Sequence, residues 1–435
     1  MRYVISPGGE LRGELRVASD KSISHRAVLL AALADGKSEI SNVLMGEDVR
    51  ATIAAVQACG VEVNEDGKRL IVKGKGGLAS PVGDIDCGNS GTLMRLFCGV
   101  AAGWNVNTRL VGDSSLMKRP MRRITEPLEC MGADITDKNG CPPVQITAGK
   151  RLFGMSHKLP VASAQIKSAL LLAGLRAEGE TAVIEPFASR DHTERMLQMF
   201  GVPVRREGLC CAVSGKAVLS PTRIKIPADP SSAAFFMVGS VIAPNSDLLL
   251  KEVCVNPTRN GVIELLRRMG AHIEMLNPRK MGSEPVADIR VVGGSLRGID
   301  IVGAEVPAAI DDLPALFVAA ATAHGKTRLT GASELRHKES DRIAAMADGL
   351  QRLGVGCETT EDGIVIEGRG DKKSVFSGGE VDSCGDHRIA MAFTMAALRA
   401  KDSVVVNDCD NVSTSFPGFG KMATAAGIRI AVSKD

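Results

Sequence analysis

Residues 19–36 read SDKSISHRAVLLAALADG: a Ser-Asp pair, a lysine, then an Ala- and Leu-rich run that stops at Asp-Gly. Ser or Asp just ahead of an apolar run is the pattern of a helix N-cap. The run is apolar on nearly every side, so its helix belongs in an interior and not on a surface. The pattern recurs five times: GNSGTLMRLFCGVAAG from Gly88, SAQIKSALLLAGLRAEG from Ser163, DPSSAAFFMVGSVIAPN from Asp229, IDDLPALFVAAATAHG from Ile310 and GDHRIAMAFTMAALRA from Gly385.

A second helix type alternates with the first and ends in a glycine followed by a strand-like tetrad. These are Gly60-Val-Glu-Val, Gly132-Ala-Asp-Ile, Gly201-Val-Pro-Val, Gly270-Ala-His-Ile, Gly354-Val-Gly-Cys and Gly427-Ile-Arg-Ile. The glycine reads as a C-cap and the alternation as the start of a strand. Successive glycines lie about 70 to 84 residues apart, and one sixth of the chain is about 72. Two independent markers with one period make the chain a sixfold repeat of an α/β unit. Short strands such as Leu70-Ile-Val-Lys and Gly363-Ile-Val-Ile-Glu complete each unit. Units of this size predict two domains of three repeats each, with the helices inside and the sheets outside.

Composition sets limits. The chain has 435 residues, too many for one ordinary domain. A net charge of +3 and 3% aromatics leave no nucleic-acid footprint and few platforms for stacking bases. No apolar run approaches the ~18 residues of a membrane span, and the start, MRYVISPGGELRG, lacks a signal-peptide core. The eleven cysteines include no C-x-x-C, which reads as reduced thiols in a cytoplasmic protein. The seven histidines are scattered without metal-ligand spacing, so no metal is expected.

The chemistry sits at the helix starts: Lys21-Ser22, Asn89-Ser90-Gly91-Thr92, Ser163-Ala164-Gln165, Ser231-Ser232, Asp311-Asp312 and Asp386-His387-Arg388. Capping accounts for the Ser, Asp and Asn residues. It does not account for Lys21, Arg26, Gln165, Lys167 or Arg388, and the four cations among them oppose the macrodipole of a helix N-terminus unless an anion lies close. The second-type helices carry arginines near their starts at Arg50, Arg119, Arg190, Arg259 and Arg342. Together these point to a small ligand rich in phosphate and carboxylate. No Walker-type loop and no strand-linked G-x-G-x-x-G is present, which disfavours a nucleotide.

The segment ELRHKESDRIA, residues 334–344, crowds charges of both signs ahead of another helix. A solvated face is the ordinary reading of such a run. Lys338, Glu339 and Arg342 are instead spaced to share one helix start, whereas Glu334, Arg336 and His337 fit the solvated face and Asp341 caps or orients its neighbours. Asp311, Asp312 and Glu339 are the acid–base candidates. For the two aspartates, capping before Leu313-Pro314 is the alternative.

SDKSISHRAVLLAALADG, GNSGTLMRL, MKRPMRR, SRDHTERML, DPSSAAFF, RHKESDRI, GDHRIAMA and TSFPGF, in this order, resemble the EPSP synthase (3-phosphoshikimate 1-carboxyvinyltransferase) family from about Pro7 to about Gly427. The resemblance implies a two-domain inside-out α/β barrel, the enolpyruvyl transferase fold, of six βαβαββ repeats with buried helices. It places one domain at 19–228, mainly on the shikimate 3-phosphate side. The other, 1–18 plus 229–435, lies mainly on the phosphoenolpyruvate side. A double-stranded hinge joins them, and the active site lies in the interdomain cleft. The implied reaction moves the enolpyruvyl group of phosphoenolpyruvate to the 5-hydroxyl of shikimate 3-phosphate by addition–elimination, without metal or cofactor, on the shikimate pathway to chorismate and aromatic amino acids.

Carried over residue by residue, Glu339 handles the C3 proton. Asp311 is the base near the 5-hydroxyl, matched over Asp312 by its distance to Gly325, and Lys21 touches both substrates. Ser22, Arg26, Ser163, Ala164, Gln165, Ser189, Arg190 and Lys338 join Asp311 around shikimate 3-phosphate, with Arg26 on its carboxylate. Gly91, Thr92, Arg119, Gln165, Arg342, His387, Arg388 and Thr414 fall around phosphoenolpyruvate. Ala164, Thr414 and SRDHTERML resemble the second, typically glyphosate-tolerant subgroup, although that subgroup usually has Ala where this chain has Gly91. The sister family acting on UDP-N-acetylglucosamine is the runner-up. It usually carries a Cys loop before its Arg-Pro, and here residues 113–120, DSSLMKRP, contain no cysteine. A noncatalytic anion-binding scaffold would lack the carboxylates, and both Asp311 and Glu339 are present. The expectation is a cytoplasmic monomer with small-molecule substrates and neither nucleic acid nor membrane as partner.

Overall fold

In chain order the helices of the computed structural model, which describes residues 1–370 and 372–433, are α1 (Lys21–Leu33), α2 (Glu47–Ala58), α3 (Gly91–Gly103), α4 (Arg122–Cys130), α5 (Ala164–Gly174), α6 (His192–Met199), α7 (Pro230–Ile242), α8 (Gly261–Arg268), α9 (Val306–Ala309), α10 (Leu313–Thr322), α11 (Arg342–Arg352), α12 (His387–Ala396), α13 (Val412–Ser415) and α14 (Phe419–Ala425). The repeated apolar runs are α1, α3, α5, α7, α10 and α12. Every residue of α7, α10 and α12 is buried. Five of these six start where a side chain caps them: Asp20 accepts from Ile23 N, Ser90 from Leu93 N, Ser163 from Ile166 N, Asp229 from Ser231 N and Asp386 from Arg388 N. Each cap contributes about 1 kcal/mol. Asp312 holds the sixth cap position, before α10, but makes no capping bond.

The alternating helices α2, α4, α6, α8, α11 and α14 each stop two residues before a left-handed glycine. Gly60, Gly132, Gly201, Gly270, Gly354 and Gly427 have φ between +81° and +107°. An L side chain is strained in that region, so a glycine there both ends the helix and turns the chain into the next strand.

Among the described residues, six four-stranded sheets follow one plan. A short edge strand runs parallel to a second strand, which is antiparallel to a third. Arg223–Lys225, Asp35–Ser41, Arg69–Lys75 and Glu62–Asp66 form one example, the last pair again antiparallel. Ile85–Asp86, Thr108–Val111, Cys141–Thr147 and Asp134–Lys138 form another. The repeats are not all contiguous in the chain. Arg2–Ile5 pairs with Val404–Asn407 and Ile430–Ser433, and Arg12–Leu15 lies parallel to Asp247–Cys254.

The chain divides into two compact units. The first comprises Met1–Ala18, Pro227–Lys280 and the described part of Pro285–Asp435, and the second comprises Ser19–Ile226 with Met281–Glu284. The repeated α/β sheets are as expected, but the inside-out barrel is not. Each sheet is open, with two edges and an unbranched order of four strands. Closing a barrel needs a continuous ladder that returns to its first strand. Here the parallel edge strand is only two to four residues long, and no sheet extends past it.

The second unit shows how closely its buried helices pack. Gly99 of α3 faces the backbone of Ala169 in α5, and a Cβ at Gly99 would overlap the Ala169 carbonyl. In the first unit the aromatic end of TSFPGF is core: Phe416 and Phe419 are buried, their rings 5.4 Å apart, with Phe236 about 6 Å from each. Gly99→Ala is therefore expected to destabilise the second unit by about 2 kcal/mol, the usual scale for overpacking. Thermal unfolding should then shift down by roughly 4–8 °C for a unit of this size. An unchanged midpoint would mean that α3 and α5 are not in backbone contact.

Candidate active site

In the second unit the polar ends of the buried helices are tied to one another. Lys21 opens α1, and its Nζ lies 2.9 Å from Asp48 Oδ2 in the first turn of α2. The anion its position requires is thus a protein carboxylate. One turn on, Arg26 is buried and donates from Nε to Thr193 Oγ1 (2.7 Å), from Nη2 to Ser168 Oγ (2.8 Å) and from Nη1 to the Ser22 carbonyl (3.0 Å). Arg190 Nη1 donates to Ser22 Oγ at 3.3 Å. Between these cations His25 is fully buried beside Thr52 Oγ1, 2.6 Å away. Burial holds its imidazole well below the ordinary range, and Lys21 and Arg26 push the same way, so it is neutral.

The starts of α3 and α5 are joined through Gln165, which accepts from Arg95 Nη1 (2.6 Å) and donates to Thr92 Oγ1 (3.0 Å). Arg119 Nη2 donates to Asn89 Oδ1 at 2.8 Å. Gly91 lies between two guanidinium groups, and a Cβ there would stand 3.2 Å from both Arg119 Nη1 and Arg95 Nη1. Ser163 caps α5, and Ala164 beside it is half-buried. Ser189 is buried with its hydroxyl donated to Glu185.

In the first unit Arg342 is the centre. It is 1% exposed and donates from Nε to Asp386 Oδ2 (2.8 Å), from Nη1 to Asp311 Oδ1 (3.2 Å) and from Nη2 to Glu339 Oε2 (2.6 Å). Burial works against its charge, but Asp386, Glu339 and Asp311 outweigh it and hold its pKa above the usual arginine value. Arg388 Nη1 donates to the Asp311 carbonyl at 2.8 Å, and its guanidinium lies 3.8 Å from Asp311 Oδ2 and 3.6 Å from Asp312 Oδ1. Lys338 Nζ is 4.0 Å from Asp311. Asp312 is 1% exposed, and burial pushes its carboxyl up against the pull of Arg388 and Arg259. Asp311 is half-buried and so within reach of a ligand. His387 Nε2 lies 3.0 Å from Ser415 Oγ, and the Thr414 hydroxyl donates to the Asn411 carbonyl.

In the charged segment 334–344 Asp341 is the cap it reads as, and Arg336 departs from its reading. Asp341 caps α11 through Ala344 N and also accepts from Arg336 Nη1 at 2.6 Å. Arg336 further donates to the carbonyls of Glu361 and Thr360, so it fastens a loop and is not a solvated charge. Arg50 stands apart from the clusters as an exposed residue paired with Glu65. Asp48 and Arg95 go unread in the sequence, and Asn89 and Asp386 read only as caps, although Asn89 also accepts from Arg119 and Asp386 from Arg342. Arg95 carried a usable signal, as the one charge inside an apolar run.

Two groups of cations and carboxylates at helix starts can hold phosphate and carboxylate groups and move protons. Among the described residues no group of three or more His, Cys, Asp or Glu is placed to hold a metal ion, and no helix is long and apolar enough to cross a membrane.

Known proteins resemble this chain along its length. The family model for EPSP synthase (3-phosphoshikimate 1-carboxyvinyltransferase) matches residues 5–422. A 3-phosphoshikimate 1-carboxyvinyltransferase of Methylococcus capsulatus is 55% identical over 435 residues, covering 99% of this chain and 98% of its own. One from Alkalilimnicola ehrlichii is 54% identical over 434 residues, covering 99% and 96%. The solved EPSP synthase of Acinetobacter baumannii superposes with a TM-score of 0.89 at 48% identity, covering all of both chains. The chain belongs to the EPSP synthase family.

Proposed function

We propose that the chain transfers the enolpyruvyl group of phosphoenolpyruvate to the 5-hydroxyl of shikimate 3-phosphate, releasing phosphate, as a step of aromatic amino-acid biosynthesis. The observation that carries this reading is full-length identity above 50% to enzymes of that name, with Asp311 and Glu339 both held at a buried arginine.

The chemistry needs two proton-handling groups. The 5-oxygen attacks C2 of phosphoenolpyruvate while C3 gains a proton, giving a tetrahedral intermediate. C3 then loses a proton as the C2–O bond to phosphate breaks. Glu339 is assigned to the C3 proton and Asp311 to the proton of the 5-hydroxyl. Asp312 is the poorer base, being buried and turned toward Arg388. Lys21, Ser22, Arg26, Ser163, Ala164, Gln165, Arg190 and Lys338 are assigned to shikimate 3-phosphate. Gly91, Thr92, Arg119, Arg342, His387 and Arg388 are assigned to phosphoenolpyruvate, with Lys21 and Gln165 touching it too. Planar guanidinium groups suit carboxylate and phosphate because they bind bidentately. Ser189 and Thr414 have their hydroxyls on protein acceptors, so their assigned parts are in shaping the site. The chain is proposed to act as a monomer. The eleven free thiols suit a reducing cytoplasm.

We also read Ala164, Thr414 and SRDHTERML as marks of the second, glyphosate-tolerant subgroup, with Gly91 as the departure. A methyl group at Gly91 would press on the flexible ends of Arg119 and Arg95, which can yield. Gly91→Ala should fold normally and weaken inhibition by glyphosate more than it raises KM for phosphoenolpyruvate. An inhibition constant that stays level with the parent would remove Gly91 from the inhibitor-binding wall.

Two measurements test the main reading. Purified protein given shikimate 3-phosphate and phosphoenolpyruvate should release inorganic phosphate, and none should appear with UDP-N-acetylglucosamine in place of the shikimate. The reverse pattern would assign the chain to the sister activity. Glu339→Gln should lower kcat by roughly 100-fold or more while leaving substrate binding nearly intact, the scale of lost acid–base catalysis. A near-normal rate would return Glu339 to the role of a charge partner for Arg342.

A further inference from the structure

Lys167, one of the cations that capping left unexplained, has no part in the roles assigned above. It sits on α5, 3% exposed, directly after the segment Ser163-Ala164-Gln165-Ile166. Its Nζ lies 2.7 Å from Glu185 Oε2 and 2.9 Å from Glu194 Oε1. Both carboxylates are also buried. Burial acts to discharge the lysine, but Glu194 and Glu185 outweigh it, so the ammonium stays charged. One lysine therefore joins three pieces of chain: α5, α6 through Glu194, and the loop that begins at Glu185.

That loop ends in Ser189 and Arg190, and Ser189 is gripped by three of its atoms. Its hydroxyl donates to Glu185, its N–H donates to Glu185 Oε2 at 3.4 Å, and its carbonyl accepts from Lys167 Nζ at 3.4 Å. The next residue, Arg190, thus starts from a fixed backbone. The neighbouring positions repeat the tie: Ser168 of α5 bonds Thr193 of α6 at 2.7 Å, and both receive Arg26. The motif SRDHTERML therefore reads as a fastening, in which Thr193 and Glu194 meet Ser168 and Lys167.

We propose that Lys167 is a positioning residue for the reaction: by tying Glu185 to Glu194 it fixes residues 185–190 and so sets where Arg190 presents its guanidinium to the phosphate of shikimate 3-phosphate. This rests on the reading that Arg190 binds that phosphate. On this account the hydroxyl of Ser189 serves the loop and not the ligand. Removing Lys167 loosens ground-state binding of one substrate without touching the groups that move protons.

The test is a double-mutant cycle on kcat and on both KM values, with Lys167→Met and Arg190→Met alone and together. Arg190→Met should raise KM for shikimate 3-phosphate about tenfold or more, and Lys167→Met about fivefold, with kcat and KM for phosphoenolpyruvate within about twofold, the pattern of lost uniform binding. The double variant should be no worse than Arg190→Met, since coupled residues are non-additive. Multiplying effects would overturn the proposal, because Lys167 would then act independently of Arg190. A raised KM in Arg190→Met with a normal KM in Lys167→Met would overturn it while leaving the reading of Arg190 intact. A normal KM in Arg190→Met would remove both. Should Lys167→Met fail to fold, Glu194→Gln, which is isosteric and releases one arm of the tie, enters the same cycle with the same criteria.

Discussion

A helix buried on every side has nowhere lateral to put a polar group. Its backbone is satisfied internally except for the first four N–H groups and the last four carbonyls. In this protein α7, α10 and α12 are buried along their whole length, and α1, α3 and α5 nearly so. Polar chemistry is thereby driven to the helix ends. Capping side chains must gather at the N-termini, where the partial positive charge favours anions. The candidate site follows from the interior packing: once the repeat commits its helices to the core, their starts are the places left for reactive groups.

The cations at those starts need a magnitude to be understood. A charge against a helix dipole costs roughly 0.3–1 kcal/mol. Losing one partner of a buried ion pair costs about 3–5 kcal/mol. The second term is larger, so several of these cations are matched by carboxylates inside the protein. Lys21 has Asp48, Lys167 has Glu185 and Glu194, and Arg342 has Asp386, Asp311 and Glu339. For these three the nearest anion is a protein carboxylate, where dipole reasoning from sequence looks to a ligand. Under the proposed roles, a substrate phosphate or carboxylate shares N–H groups with these carboxylates and does not meet bare positive charge. That agrees with a chain whose net charge is only +3.

What could be read from sequence was whatever repeats. The glycine after each alternating helix must adopt positive φ, and Gly60 through Gly427 do so six times. The apolar runs and their caps were equally plain, apart from Asp312. Features that depend on distant partners were not plain. Open sheets instead of a closed barrel follow from edge strands as short as Ile85–Asp86 and Asp300–Ile301, which carry almost no pattern of their own. Arg336 looked solvated because its acceptors are backbone carbonyls at 360 and 361, which sequence does not label. The bond from the Ser189 hydroxyl to Glu185 is likewise unmarked, because nothing local labels a buried glutamate four residues back as its acceptor.

Asp311 and Asp312 show the limit most sharply. They are neighbours of identical chemistry at one helix start, and composition, charge and capping rules treat them alike. Both lie in the turn between α9 and α10, with Asp312 at the cap position of α10 and Asp311 one residue before it. Asp312 turns inward, is 1% exposed, and has its ionised form disfavoured by burial. Asp311 remains half-buried, its carboxylate 3.2 Å from Arg342, 3.8 Å from Arg388 and 4.0 Å from Lys338. One position along the chain thus separates a packed carboxyl from a partly exposed one, and the difference belongs to the turn before α10, not to the residue type.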